Sequence, residues 1–193
     1  MKALNLNRLN LHAPYSVWLV SKDNYGFRSS HDVVFRICFV DDSTIWHEGA
    51  VEFSILNENM KASPNDKKVR ETIFSIIEEF FLCNSGILLY QCETGDNRQS
   101  LRDRLFLRWF NEYKYHQRYF IKVSSIIAEG QVNYVAIIVQ KDNEHLDTII
   151  RDFDHFVGFL LINRPPILKR TNTVYFLRNS GFNNYSAISV RLP

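Results

Sequence analysis

Apolar residues in the first third of the chain come in short runs of β-branched and aromatic types. Residues 15–21 read Tyr-Ser-Val-Trp-Leu-Val-Ser and residues 33–40 read Val-Val-Phe-Arg-Ile-Cys-Phe-Val, compositions that suit a pleated, half-buried surface. Asp23, Asn24, Gly26, Ser29 and Ser30 stand between them, so the pair reads as a hairpin with a long loop. In residues 50–56, Val51, Phe53 and Ile55 alternate with Glu52 and Ser54, the period of a third strand with one covered face. Residues 57–65 break that period and read as a loop.

The period then changes. Val69, Ile73, Ile76, Ile77 and Phe80 recur at three and four residues, with Arg70, Glu71, Glu78 and Glu79 elsewhere. That spacing predicts a helix over 66–82, stopped by Asn84-Ser85-Gly86. Ile87-Leu88-Leu89-Tyr90 is a continuous apolar run, as expected of a strand covered on both faces. Strand, helix and strand at this spacing predict a right-handed crossover and a parallel pair.

Asp96, with Gln99 three residues on, predicts the start of a second helix that runs to about residue 114. Residues 118–127 and 132–140 predict a hairpin across Glu129-Gly130-Gln131. A third helix, 144–162, follows a cap at Asn143 or Asp142 and carries Leu146, Ile149, Ile150, Phe153, Val157 and Leu160 on one face. Pro165-Pro166 ends it. The order βββ-α-β-α-ββ-α predicts a single α/β domain over residues 1–163, a mixed sheet of about six strands with helices packed on it. Residues 164–193 form a tail with strand candidates at 173–178 and 186–191, either an edge hairpin or an arm that reaches a second chain.

Several fragments in this frame resemble a bacterial family of unknown function. They are Glu71-Thr72-Ile73, Glu78-Glu79-Phe80-Phe81, Leu88-Leu89-Tyr90, Cys92, Thr94-Gly95-Asp96, Arg104-Leu105-Phe106 and Arg108-Trp109-Phe110. The resemblance covers about residues 14–157 and implies one intact domain. It implies no activity, and the tail after Pro166 lies outside it.

Composition narrows the function classes. A net charge of +2 falls well short of the excess expected where phosphate neutralisation is the main task, so nucleic acid is only weakly indicated. Cys38, Cys83 and Cys92 are an odd number without regular spacing, which suits reduced thiols and a cytoplasmic setting. The first fifteen residues alternate Leu with Asn and do not read as a secretory signal. The longest apolar run, 156–162, falls far short of the ~20 residues that span a bilayer. The six histidines are dispersed and no Cys-x-x-Cys occurs, so neither a metal nor another cofactor is expected.

The leading site candidate is the junction of the strand at 87 with the helix that starts at Asp96. Ligands in open α/β sheets collect beyond strand carboxyl ends, beside helix N-termini that favour anions. On a helical wheel Arg98 and Arg102 fall within the arc of Leu101, Leu105, Phe106, Trp109, Phe110 and Tyr113. Both guanidinium groups would then face inward over the strand end, ringed by Cys92, Glu93, Thr94 and Asp96, as bidentate donors to a phosphate or carboxylate. The plainer alternative is that they pair with Glu93 or Asp96 and tie the loop down. A second candidate is residues 108–120, where Arg108, Lys114, His116 and Arg118 interleave with Trp109, Tyr113, Tyr115 and Tyr119. Such a pattern can track single-stranded nucleic acid, or it is a helix end with its aromatics in the core and its cations solvated. Cys92 would need a base such as His47 or His116 to act as a nucleophile, and no catalytic residue is assigned. The expectation is a non-enzymatic interaction or accessory protein that self-associates or binds another protein. The alternative is a binder or processor of a phosphate-bearing ligand at 92–102.

Overall fold

The computed structural model describes residues 1–42, 49–91, 99–128, 131–162, 173–179 and 185–191. Of residues 42, 91, 99–103, 126–128, 131–133, 159–162 and the last two segments it describes the backbone alone. The chain runs α1 (Leu6–His12), β1 (Val17–Ser21), β2 (Asn24–Arg28), β3 (Val34–Asp42), β4 (Ala50–Asn57), α2 (Lys67–Cys83) and β5 (Ile87–Gln91). It continues through α3 (Gln99–Glu112), a 3-10 turn at His116–Arg118, β6 (Tyr119–Ala128), β7 (Gln131–Gln140) and α4 (Leu146–Ile162), then β8 (Thr173–Asn179) and β9 (Tyr185–Arg191).

β1 to β7 form one seven-stranded mixed sheet in the order β1-β2-β3-β4-β5-β7-β6, and β8 pairs with β9 in a separate ribbon. The α/β class and the expected order of elements hold. β4 and β5 are parallel, joined through α2 as the crossover requires, and the other neighbours are antiparallel.

Two segments depart from the sequence reading. Residues 24–28, expected within a loop, are a strand at the heart of the first meander. Tyr25 and Phe27 are 1% and 0% exposed, and burying two rings outweighs the turn preference of their neighbours. The turn itself is confined to Lys22 and Asp23, the latter at φ +60°. The Leu/Asn-rich N-terminus forms α1, capped by Asn5, whose side-chain oxygen accepts from the Arg8 amide. Leu4 and Leu9 anchor it in the core. In α2, Asp66 is the N-cap and also accepts from the Tyr15 phenol at 2.6 Å.

The sheet has two unlike faces. On the inner face Val17, Tyr25, Phe27, Ile37, Phe39, Phe53, Leu88 and Tyr90 pack beneath α1, α2 and α3 in one cluster with Ile73, Phe80 and Phe106. On the outer face α4 sets Ile149, Phe153 and Val157 against Ala50, Ile87, Leu89, Val135, Ile137 and Val139. Lys122 on β6 ties α4 down through Asp154 at 2.6 Å. Residues 87–90 are buried on both faces, as their unbroken apolar run implies.

Candidate interaction surface

Among the described residues, the cover on the outer face stops at β4. One row of paired residues runs Val40, Glu52, Leu89 and Ile137 across β3, β4, β5 and β7. Leu89 and Ile137 are 7% and 0% exposed under α4, whereas Val40, on the same face of the same sheet, is 54% exposed. A parallel row runs Trp18, Gly26, Arg36 and Leu56 across β1 to β4. Trp18 is 41% exposed, and its indole lies so flat over Gly26 that a Cβ there would sit 2.8 Å from Cε2 and Nε1. Only glycine admits that approach, which accounts for a glycine inside a strand.

Between these rows lie Cys38 and Ser54, both half-buried. Burial pushes the Cys38 thiol up, with a hydrogen bond from Ser54 opposing the shift, so it is a poor nucleophile at neutral pH. Arg36 pairs with Glu58, but its Nε is buried with no hydrogen-bond partner. The open half of the outer face thus joins exposed apolar side chains to one unsatisfied donor, a combination common at protein contacts and rare in finished cores.

The sheet edge beside it is partly closed. The Asn10 side chain donates to the Val17 carbonyl at 2.8 Å and accepts from the Val17 amide at 2.7 Å, as a neighbouring strand would. That contact blunts β1 at its first residue. Leu19, two residues on, is 54% exposed.

Most of the junction read from the sequence lies outside the described residues. Cys92, Thr94, Asp96 and Arg98 lie outside the described residues, with Glu93 and His47. Arg102 lies in α3, of which only the backbone is described at that position.

The second candidate divides. Tyr113 stacks on Phe74 at 4.6 Å and Tyr119 packs on Phe81 at 5.1 Å, both buried. Burial, then the Glu78 carboxylate beside them, drives the Tyr113 phenol far up and the Tyr119 phenol to about 12. Lys114 and Arg118 each lie 4.4 Å from the Tyr115 ring, and Arg118 also faces Glu78 at 4.0 Å. These groups line an open groove of about 950 Å³ between α2 and the end of α3. Arg70 on α2 meets Glu112 on α3 across it, and Lys67 pairs with Glu71 along α2 at 3.4 Å. Tyr113 and Tyr119 are thus part of the core, whereas Trp109 and Tyr115 are only partly buried.

Two further facts bound the chemistry. Among the described residues no group of three His, Cys, Asp or Glu side chains comes together to hold a metal ion, and no helix is long and apolar enough to cross a membrane.

The open rows escape sequence inspection because Trp18, Arg36, Val40 and Leu56 are brought together only by strand register. No curated protein matches the chain. Over residues 65–155, from the segment preceding α2 into α4, the chain is similar to a family of unknown function, DUF6169.

Proposed function

We propose that this chain is a non-catalytic interaction domain whose docking surface is the open half of the outer sheet face. The observation that carries the reading is the exposure of Trp18 and Val40 on a face buried to 7% or less at Leu89 and Ile137. Exposed Trp on a rigid sheet offers large apolar area at small entropic cost, the chemistry of interface anchors. The partner is a protein surface bearing apolar side chains, a second copy of this chain included. The free thiols Cys38 and Cys83 suit a reducing interior.

Photo-cross-linking tests the reading. With Val40→p-benzoylphenylalanine in the full chain in its native cells, a discrete adduct to another polypeptide is expected. Trp18→Asp is expected to abolish it. Absence of any intermolecular adduct, or an adduct indifferent to Trp18→Asp, sinks the proposal. Light scattering after size exclusion then separates a second copy from a different protein.

A further inference from the structure

The groove between α2 and the end of α3 lies on the inner side of the sheet, away from the docking face. One carboxylate oxygen that lines it, Glu78 Oε1, is buried and accepts no hydrogen bond. An unpaired charged acceptor costs folding free energy that a bound donor returns. A second carboxylate lies close by. Burial, then the charge of Glu78, raises the Tyr119 phenol to about 12, and Asp142 adds to the shift. Asp142 is fixed there by the pairing of Tyr119 with Gln140 and by the Lys141 amide, which donates to the Arg118 carbonyl at 2.9 Å. We propose that this groove binds a primary alkylammonium, with Glu78 Oε1 as the acceptor for one of its N–H bonds.

The sign of the ligand follows from the unpaired atom. An oxygen without a donor takes an N–H, and a carboxylate repels an anion. The groove's own cations do not fill the place. Arg118 stops 4.0 Å from Oε1 with its side chain 66% exposed, beyond hydrogen-bond length, and its guanidinium lies over the Tyr115 ring. Arg70, Lys67 and Lys114 are engaged with Glu112, Glu71 and the same ring. A guanidinium spreads its donors over a rigid planar fork, whereas an ammonium is a compact charge with three rotatable donors, the better shape for one recessed oxygen. Leu82, one turn beyond Glu78 on α2 and 67% exposed, also lines the groove and offers the apolar stem a contact. A volume of about 950 Å³ admits a free polyamine or the lysine side chain of another protein, and the ammonium on a flexible stem is common to both.

The test titrates the nitrogen-15-labelled full-length chain with spermidine, with Nα-acetyl-lysine amide and, as an anionic control, with glutarate. Both amines are expected to give saturable shifts at the amides of Glu78, Tyr119 and Asp142, and glutarate none there. Glu78→Gln keeps the size of the side chain and is expected to weaken amine binding by about tenfold or more. Arg118→Gln removes a competing cation and should tighten it by about threefold. Glu71→Gln, whose charge Lys67 already answers, should change it by less than about twofold. The dispersion of each spectrum shows that the variant is folded. Tighter binding of spermidine assigns the site to a free polyamine, and tighter binding of the lysine derivative assigns it to a side chain of a partner. The proposal is overturned if neither amine gives a saturable shift or glutarate moves the same amides. It is equally overturned by unchanged affinity in Glu78→Gln or by weaker binding in Arg118→Gln. None of these results bears on the adduct sought at Val40, so the two readings fail separately.

Discussion

Val40 and Ile137 belong to one row on one face of one sheet, yet one is 54% exposed and the other 0%. Strand pairing, twist and residue type do not separate them, since both are β-branched and aliphatic. What separates them is α4, which spans β6 to the start of β4 and goes no farther. A sheet face is therefore finished by whatever the chain lays over it, and among the described residues a helix lies over one half only. The family match takes in α2, β5, α3, β6, β7 and part of α4.

The comparison breaks first if α4 is not what protects the covered half. Phe153 is 0% exposed against Val135, Ile137 and Val139. Phe153→Ala is expected to cost about 3–5 kcal/mol through lost transfer energy and the cavity left behind. Urea unfolding measures it, and a cost under about 1 kcal/mol, the range of surface changes, would mean that the helix is only loosely applied.

Covered strands announce themselves and open ones do not. Ile87-Leu88-Leu89-Tyr90 shows burial on both faces because every residue is apolar. In β3, by contrast, Phe35, Ile37 and Phe39 mark the inner face, while Val34, Arg36, Cys38 and Val40 on the other are neither polar enough for water nor apolar enough for a core. Alternation tells that one face is buried and leaves the fate of the other open. β2 was hidden by Asn24 and Gly26, whose turn preference is local, whereas the burial of Tyr25 and Phe27 is tertiary. α1 was hidden by its length of 7 residues, too short to show a helical period. Arg98 and Arg102 share a wheel sector in the sequence, but convergence on a ligand is a property of side-chain geometry that periodicity does not carry.

Buried polar groups do not follow the division between the two halves. Beneath α1, Glu79 is 2% exposed and fully engaged, by Arg8 Nε at 2.8 Å, Arg8 Nη2 at 2.7 Å and the Asn5 amide at 3.0 Å. Arg36 Nε on the open half goes without a hydrogen bond, and so does the buried Glu78 Oε1 on α2. Glu79→Gln is expected to cost about 1.5–3 kcal/mol at neutral pH, the worth of hydrogen bonds to a charged group. Burial alone would raise the Glu79 carboxyl, but Arg8, Asn5 and Cys83 together hold it below its ordinary value. A carboxyl depressed in the folded state stabilises fully above its unfolded pKa and ceases to as pH falls through the folded one. Asp66, also lowered, acts in the same direction. The wild-type chain should lose stability below about pH 4.5, the ordinary carboxylate range, more steeply than Glu79→Gln, and urea midpoints from pH 7 to 3 should converge. Parallel midpoints would show that the Arg8 pair contributes nothing through charge.

On the open half, expected effects on folding are small and the informative readout is access. Gly26→Ala puts a Cβ 2.8 Å from the Trp18 indole, so the ring must swing outward. An indole at a sheet edge has room to do so, and the cost should be about 1 kcal/mol, the centre of single-residue effects. Indole emission should shift at the same time. Val40→Lys is smaller still. On a bare face it falls within about ±0.5 kcal/mol. Urea unfolding measures it, and a cost above about 1 kcal/mol would mean that Val40 is covered and that the two halves of the outer face do not differ as described.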